Sequence, residues 1–197
     1  MGVEREVKKT KVVIFGDSIT NGYGILGRPA TQILRKKLEA NARKRGIELE
    51  INLQGVNGDT TTHAMKRLPQ IVRKKADFVF IFFGANDASR YFSVTESEYA
   101  KNLSVMIEQL DENKVILISP PYHNDTLDIN NRSNTLICRY RATMKKVGQL
   151  YDKNVIDLYG AMIASQNPNQ YLQDDGLHFS ARGYDLLSEL MLERIMN

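Results

Sequence analysis

Five short, unbroken apolar runs recur along the chain at the spacing of β-α units. They narrow the fold more than any other feature. The runs are Val12-Val-Ile-Phe15, Leu49-Glu-Ile-Asn-Leu53, Phe78-Val-Phe-Ile-Phe-Phe83, Val115-Ile-Leu-Ile118 and Val155-Ile-Asp-Leu158. Continuous β-branched and aromatic runs suit strands covered on both faces, as in parallel sheets. Helical patterns fill the gaps. Residues 29–45 end in Arg43-Lys-Arg45 and Gly46, a cationic last turn followed by a C′ glycine. Residues 96–110 follow Thr95, with Glu98 three positions on, in the manner of a capping box. Their stripe is Tyr99, Leu103, Met106, Ile107 and Leu110. Residues 133–151 place Leu136, Tyr140, Met144, Val147 and Tyr151 on one face, and a last helix after Ser180 buries Leu187, Leu190, Met191 and Ile195. Segment 60–75 carries Pro69, which breaks or kinks a helix. Alternating strands and helices predict an α/β fold, a parallel sheet with helices on both faces. At 197 residues without repeat or linker, a single domain over 1–197 is expected.

Composition narrows the class of function. Hydrophobic residues make up 42% and charged residues 25%, which excludes a disordered or collagen-like chain. One cysteine, Cys138, excludes an intramolecular disulfide and a cysteine-based zinc site. The first residues are polar, unlike a signal peptide, and Glu6 stands where a myristoylation signal needs Ser or Thr. No apolar run reaches the roughly 18 residues of a spanning helix. A cytoplasmic protein without stable membrane insertion is expected. Residues 1–75 hold 16 Lys and Arg against 7 Asp and Glu. The clusters Arg35-Lys-Lys37 and Arg43-Lys-Arg45 lack the interleaved aromatics that stack on bases, so they read as a solvated helix face and no nucleic-acid partner is expected.

In parallel α/β sheets ligands bind at the carboxyl ends of the strands, so chemistry belongs in the segments that follow each run. After the first run comes Gly16-Asp-Ser-Ile-Thr-Asn-Gly22. Backbone N–H groups near Ser18 can stabilise a developing negative charge, although Asp17 and Ser18 equally suit a helix cap. After the second comes Gly55-Val-Asn-Gly-Asp-Thr-Thr61. There Gly58 can offer an unobstructed N–H, while Asn57-Gly58 is also a common turn and Asp59 a common N-cap. After the third comes Gly84-Ala-Asn-Asp87, where the Asn86 amide can donate to an oxyanion or form an Asx turn. After the fifth comes Asp174-Asp-Gly-Leu-His178. A carboxylate there can orient the His178 ring, and Asp174 and Asp175 both lie within reach. His63 and His123 have no carboxylate so placed. Together these segments supply a nucleophile, a base, an orienting acid and oxyanion donors, a full set for acyl transfer.

The same residues resemble the SGNH/GDSL hydrolase family. Gly16-Asp-Ser-Ile-Thr-Asn-Gly22 is similar to its first block, Gly58 to the second, Gly84-Ala-Asn-Asp87 to the third and Asp175-Gly-Leu-His178 to the last. Phe82-Phe-Gly-Ala-Asn-Asp-Ala88 resembles most the small single-domain esterases related to isoamyl acetate-hydrolysing esterase. The resemblance implies a three-layer α/β/α flavodoxin-like fold with a five-stranded parallel sheet. It implies hydrolysis of a small-molecule ester, without metal or cofactor, through an acyl-enzyme on Ser18. His178 would be the base and Asp175 its orienting acid. The backbone N–H groups of Ser18 and Gly58 and the Asn86 amide would form the oxyanion hole.

Three rivals fare worse. Gly22-Tyr-Gly-Ile-Leu-Gly27 spells a dinucleotide fingerprint, but it starts six residues beyond Gly16 and the second run ends without an acid for a ribose. A metal-dependent phosphoesterase would draw on Asp17, Asp87, Asp174 and His178, yet only three histidines exist and none forms a close pair with another. Cys138 lies off its helix stripe without a base and reads as a small packing residue.

Overall fold

The computed structural model describes residues 9–24, 31–110, 114–127 and 131–197. Its strands are β1 (Thr10–Gly16), β2 (Leu49–Gly55), β3 (Phe78–Phe82), β4 (Lys114–Ile118) and β5 (Asn154–Ile156). They form a parallel sheet in the order β2-β1-β3-β4-β5, the flavodoxin-like arrangement. The helices are α1 (Ser18–Asn21), α2 (Ile33–Lys44), α3 (Thr61–Met65), α4 (Leu68–Val72), α5 (Glu96–Gln109), α6 (Asn134–Leu150), α7 (Leu158–Ile163) and α8 (Ala181–Met196).

Alternate residues of the strands face opposite ways, so each apolar run feeds two cores. Val13, Phe15, Val79, Ile81 and Leu117 join the α5 and α6 side chains Tyr99, Leu103, Met106 and Met144. Val12, Ile14, Phe80, Phe82 and Ile118 join Leu34 and Leu38 of α2 and Leu187 and Met191 of α8. Helices on both faces complete three layers. All five residues of β3 are buried, which is why that run shows no alternation.

Several expected boundaries shift. The fifth strand stops at Ile156, because the Asp157 side chain turns back to cap α7 by accepting the Gly160 N–H at 3.1 Å. Thr95 caps α5, but Glu98 does not return the bond. Its carboxylate instead accepts from the Thr62 hydroxyl at 2.6 Å. The buried face of α6 turns toward Ile137 and Gly148, leaving Leu136 and Tyr151 half-buried, and α8 buries Tyr184 and Leu192 in place of Leu190 and Ile195. The break near Pro69 occurs just before it, between α3 and α4, with Pro69 in the first turn of α4. Residues 29 and 30, at the expected start of the second helix, lie outside the described residues, as do Ile25 to Gly27 of the glycine fingerprint.

Candidate active site

The four segments meet where the chain leaves β1 and β3, the point at which the strand order reverses. Asp17 ends the β1 turn, and its carboxylate accepts the Ile19 N–H at 2.9 Å, so it caps α1. Ser18 thus occupies the first position of α1. Helix capping and site building are two aspects of one turn here. Gly22 (φ +77°) closes α1 in the left-handed region.

A loop 160 residues away along the chain brings His178 to this serine. Asp175 organises that loop. One carboxylate oxygen accepts the N–H groups of Leu177 and His178, both at 2.9 Å, and the other lies 2.6 Å from His178 Nδ1. A carboxylate only accepts, so Nδ1 carries the ring proton and Nε2 presents a lone pair. That lone pair faces Ser18 Oγ at 2.9 Å. Desolvation alone would raise the Asp175 carboxyl. The ring and the two backbone N–H groups outweigh it and hold the pKa at about 2. Asp174 is exposed and has no hydrogen bond to the ring among the described residues. Tyr23 packs on the imidazole, with ring centroids 4.7 Å apart, and Gln173 ties the Tyr23 carbonyl (3.0 Å) to that of Phe179 (2.9 Å).

Gly58 takes the left-handed φ of +77° in its turn. Asn57 braces the turn by accepting from Asn21 Nδ2 of α1 at 3.0 Å. Among the described residues the N–H groups of Ser18 and Gly58 have no acceptor. Asp59 does not cap α3, since Thr60 does. Asp59 pairs instead with Arg67, which also donates to the Gly16 and Gln54 carbonyls at the ends of β1 and β2. Asn86 is buried. Its Nδ2 donates to the Asp59 carbonyl at 2.9 Å and, at a longer 3.3 Å, to Asp17 Oδ2. Its Oδ1 accepts from Arg132 Nη2 at 2.6 Å.

Arg67 and Arg132 escape a reading of the sequence, because neither lies in a motif. Asp87 accepts the Thr61 N–H at 2.9 Å. Burial raises both Asp17 and Asp87 to a pKa of about 6. Of the groups that a metal-dependent rival would need, Asp17, Asp87 and His178 have separate partners and Asp174 is exposed, and among the described residues no three such side chains converge on a metal position. His123 does have a carboxylate partner, Asp125 at 3.1 Å. It follows the histidine by two residues, whereas Asp175 precedes its own by three. Cys138 is half-buried against one core, consistent with packing.

Known proteins supply an independent comparison. Residues 14–186 match the GDSL-like Lipase/Acylhydrolase family. The human isoamyl acetate-hydrolyzing esterase 1 homolog is 30% identical over 90% of this chain and 77% of its own. The isoamyl acetate-hydrolyzing esterase of Saccharomyces cerevisiae is 27% identical over 94% and 85%. The lipase/acylhydrolase of Enterococcus faecalis superimposes with a TM-score of 0.89 at 39% identity, covering 94% of this chain and 95% of that one. These likenesses make the protein a serine ester hydrolase. It belongs to the GDSL-like lipase/acylhydrolase family. Among the described residues no helix is long and apolar enough to cross a membrane.

Proposed function

We propose that the protein hydrolyses small carboxylic esters through an acyl-enzyme on Ser18. The observation that carries this reading is the unbroken line from Asp175 through both His178 nitrogens to Ser18 Oγ, at 2.6 and 2.9 Å. As Oγ attacks the acyl carbon, His178 Nε2 takes the hydroxyl proton and the carbonyl oxygen becomes an oxyanion. The N–H groups of Ser18 and Gly58 and the Asn86 amide receive that charge. The long bond from Asn86 to Asp17 is the one that the amide gives up or shares. On collapse the proton on Nε2 passes to the departing alcohol. Water then attacks the acyl-enzyme, with His178 again as base, and Ser18 is regenerated with release of the acid.

One arm of the ester lies in an open groove of about 540 Å³ beside Gly58, walled by Phe92 and rimmed by His63 and Lys66. A lone cysteine suits a reducing cytoplasm.

Ser18→Ala tests the reading. Its kcat on p-nitrophenyl esters from acetate to palmitate should fall by many orders of magnitude while the fold persists, with a residue of roughly 10³-fold over water from the hole and binding. Retention of more than about a tenth of wild-type kcat defeats the assignment.

A further inference from the structure

The Asn86 amide is held on three sides, and one of its partners is a cation. Arg132 Nη2 donates to Asn86 Oδ1 at 2.6 Å, and Arg132 Nε donates to the neighbouring Ala85 carbonyl at 2.7 Å. A guanidinium has donors only, so the amide oxygen must face it. The Asp59 carbonyl and Asp17 Oδ2 accept only, so the amide nitrogen must face them. All three partners select one orientation of the amide. The arginine adds what the other two cannot. A charge-assisted bond draws electron density from the amide oxygen and makes the N–H groups stronger donors.

Arg132 works from a fixed platform. It immediately precedes Ser133, whose hydroxyl caps α6 by accepting the Leu136 N–H at 3.2 Å. The next residue, Asn134, donates its N–H to the Asp125 carboxylate at 2.9 and 3.0 Å. On the other side the Asn131 carbonyl accepts the Arg90 N–H at 3.0 Å, which ties the start of α6 to the loop after β3. Burial lowers the Arg132 pKa and the Asp17 carboxylate opposes the change. A guanidinium remains charged under such a shift.

We propose that Arg132 is a positioning residue for ester hydrolysis, one that orients and polarises the Asn86 amide so that its N–H meets the oxyanion. This rests on the reading of Asn86 as an oxyanion donor, and the test separates the two.

The experiment is a double-mutant cycle on p-nitrophenyl acetate, with kcat and KM measured for wild type, Asn86→Ala, Arg132→Met and the double variant. Thermal unfolding of each checks the fold. Asn86→Ala alone should lower kcat by about 10²–10³. Arg132→Met should lower kcat about tenfold to a hundredfold, with KM changed less than about threefold, as for loss of a charge-assisted bond that matters in the transition state. In the Asn86→Ala background the same change should cost less than about threefold, because the group Arg132 acts through is gone. Arg132→Lys keeps the charge but not the fork that reaches both oxygens. It should lose about three- to tenfold in kcat, again only when Asn86 is present. It carries the test if Arg132→Met does not fold. Equal losses in both backgrounds, or a loss confined to KM, would overturn the role of Arg132 while leaving Asn86 in place. A silent Asn86→Ala would overturn the oxyanion reading and this one with it.

Discussion

Replacing Asp175 by asparagine removes one oxygen from a carboxylate that three donors approach. Oδ1 accepts the Leu177 and His178 N–H groups, and Oδ2 meets the His178 Nδ1 proton. Asparagine has a single acceptor atom. Keeping the two backbone bonds, it turns its NH₂ group toward Nδ1. The ring then shifts its proton to Nε2, the atom that must accept from Ser18 2.9 Å away. The alternative orientation keeps the ring and sets an NH₂ against two backbone N–H groups. Either way the working arrangement is lost, and kcat should fall on the order of 10⁴, the size of a wrong-tautomer penalty in a triad. The stability cost should be small. The carboxyl lies at about 2 in the fold against 3.8 ordinarily, which is nominally ~2.5 kcal/mol at 1.36 kcal/mol per unit. The side chain is 42% exposed, so screening cuts this to about 1 kcal/mol. Because the folded value is the lower one, that stability is complete above 3.8 and is lost as the pH falls through about 2. Steady-state kinetics on p-nitrophenyl acetate and urea unfolding at pH 7 read the two halves, with Asp174→Asn as control, expected near wild type. An Asp175→Asn enzyme within tenfold of wild-type kcat, or an Asp174→Asn enzyme more damaged than it, refutes the argument.

Two other changes probe the loops beneath the serine. A Cβ on Gly55 would lie 2.5 Å from Asn21 N and 2.6 Å from Asp17 O, both backbone atoms. Gly55→Ala should therefore push α1 outward, costing about 1–3 kcal/mol and lowering kcat as Ser18 moves, with Tm and kcat measured on the same preparation; an unchanged Tm refutes it. The Asp87 carboxyl is raised from 3.8 to about 6 by burial, so the fold binds its proton more tightly than the unfolded chain and its contribution declines as the pH rises through that window. Asp87→Asn should gain stability relative to wild type between pH 4 and 7, by up to about 3 kcal/mol, and a urea-unfolding difference that stays flat with pH counts against it.

Much of this was legible in the sequence, for physical reasons that differ from element to element. β3 could be read because a strand covered on both faces must be continuously apolar. Ser18, Gly58, Asn86 and His178 could be placed because a parallel sheet puts the segments after its strands along one edge. Asp175 was less readable. Asp174 lies as near in sequence, and only the turn that gives Asp175 both backbone N–H groups tells them apart. The end of β5 was misplaced because Asp157 looks like an interruption in a strand and acts as a helix cap. Arg67 and Arg132 left no local signal. The carbonyls that Arg67 holds lie 13 and 51 residues away, and Arg132 reaches groups 46 and 47 residues away. Nothing in the neighbouring sequence distinguishes such an arginine from one on a solvated face.

Those long-range bonds explain how loops can hold a site to the tolerance that acyl transfer requires. Loops are ordinarily the mobile parts of a fold, whereas a reacting constellation needs its groups fixed. Here four polar side chains each join two loops rather than serving one. Asp17 caps α1 after β1 and reaches Asn86 after β3. Asp87 after β3 holds the start of α3, just beyond Gly58. Arg67 joins the ends of β1 and β2. Arg132 joins the start of α6 to the loop after β3. Burying Asp17 and Asp87 is unfavourable when they ionise, as their raised pKa values of about 6 record. The two apolar cores on either side of the sheet offset that cost, and the polar groups turn four separate strand ends into one rigid frame around the serine.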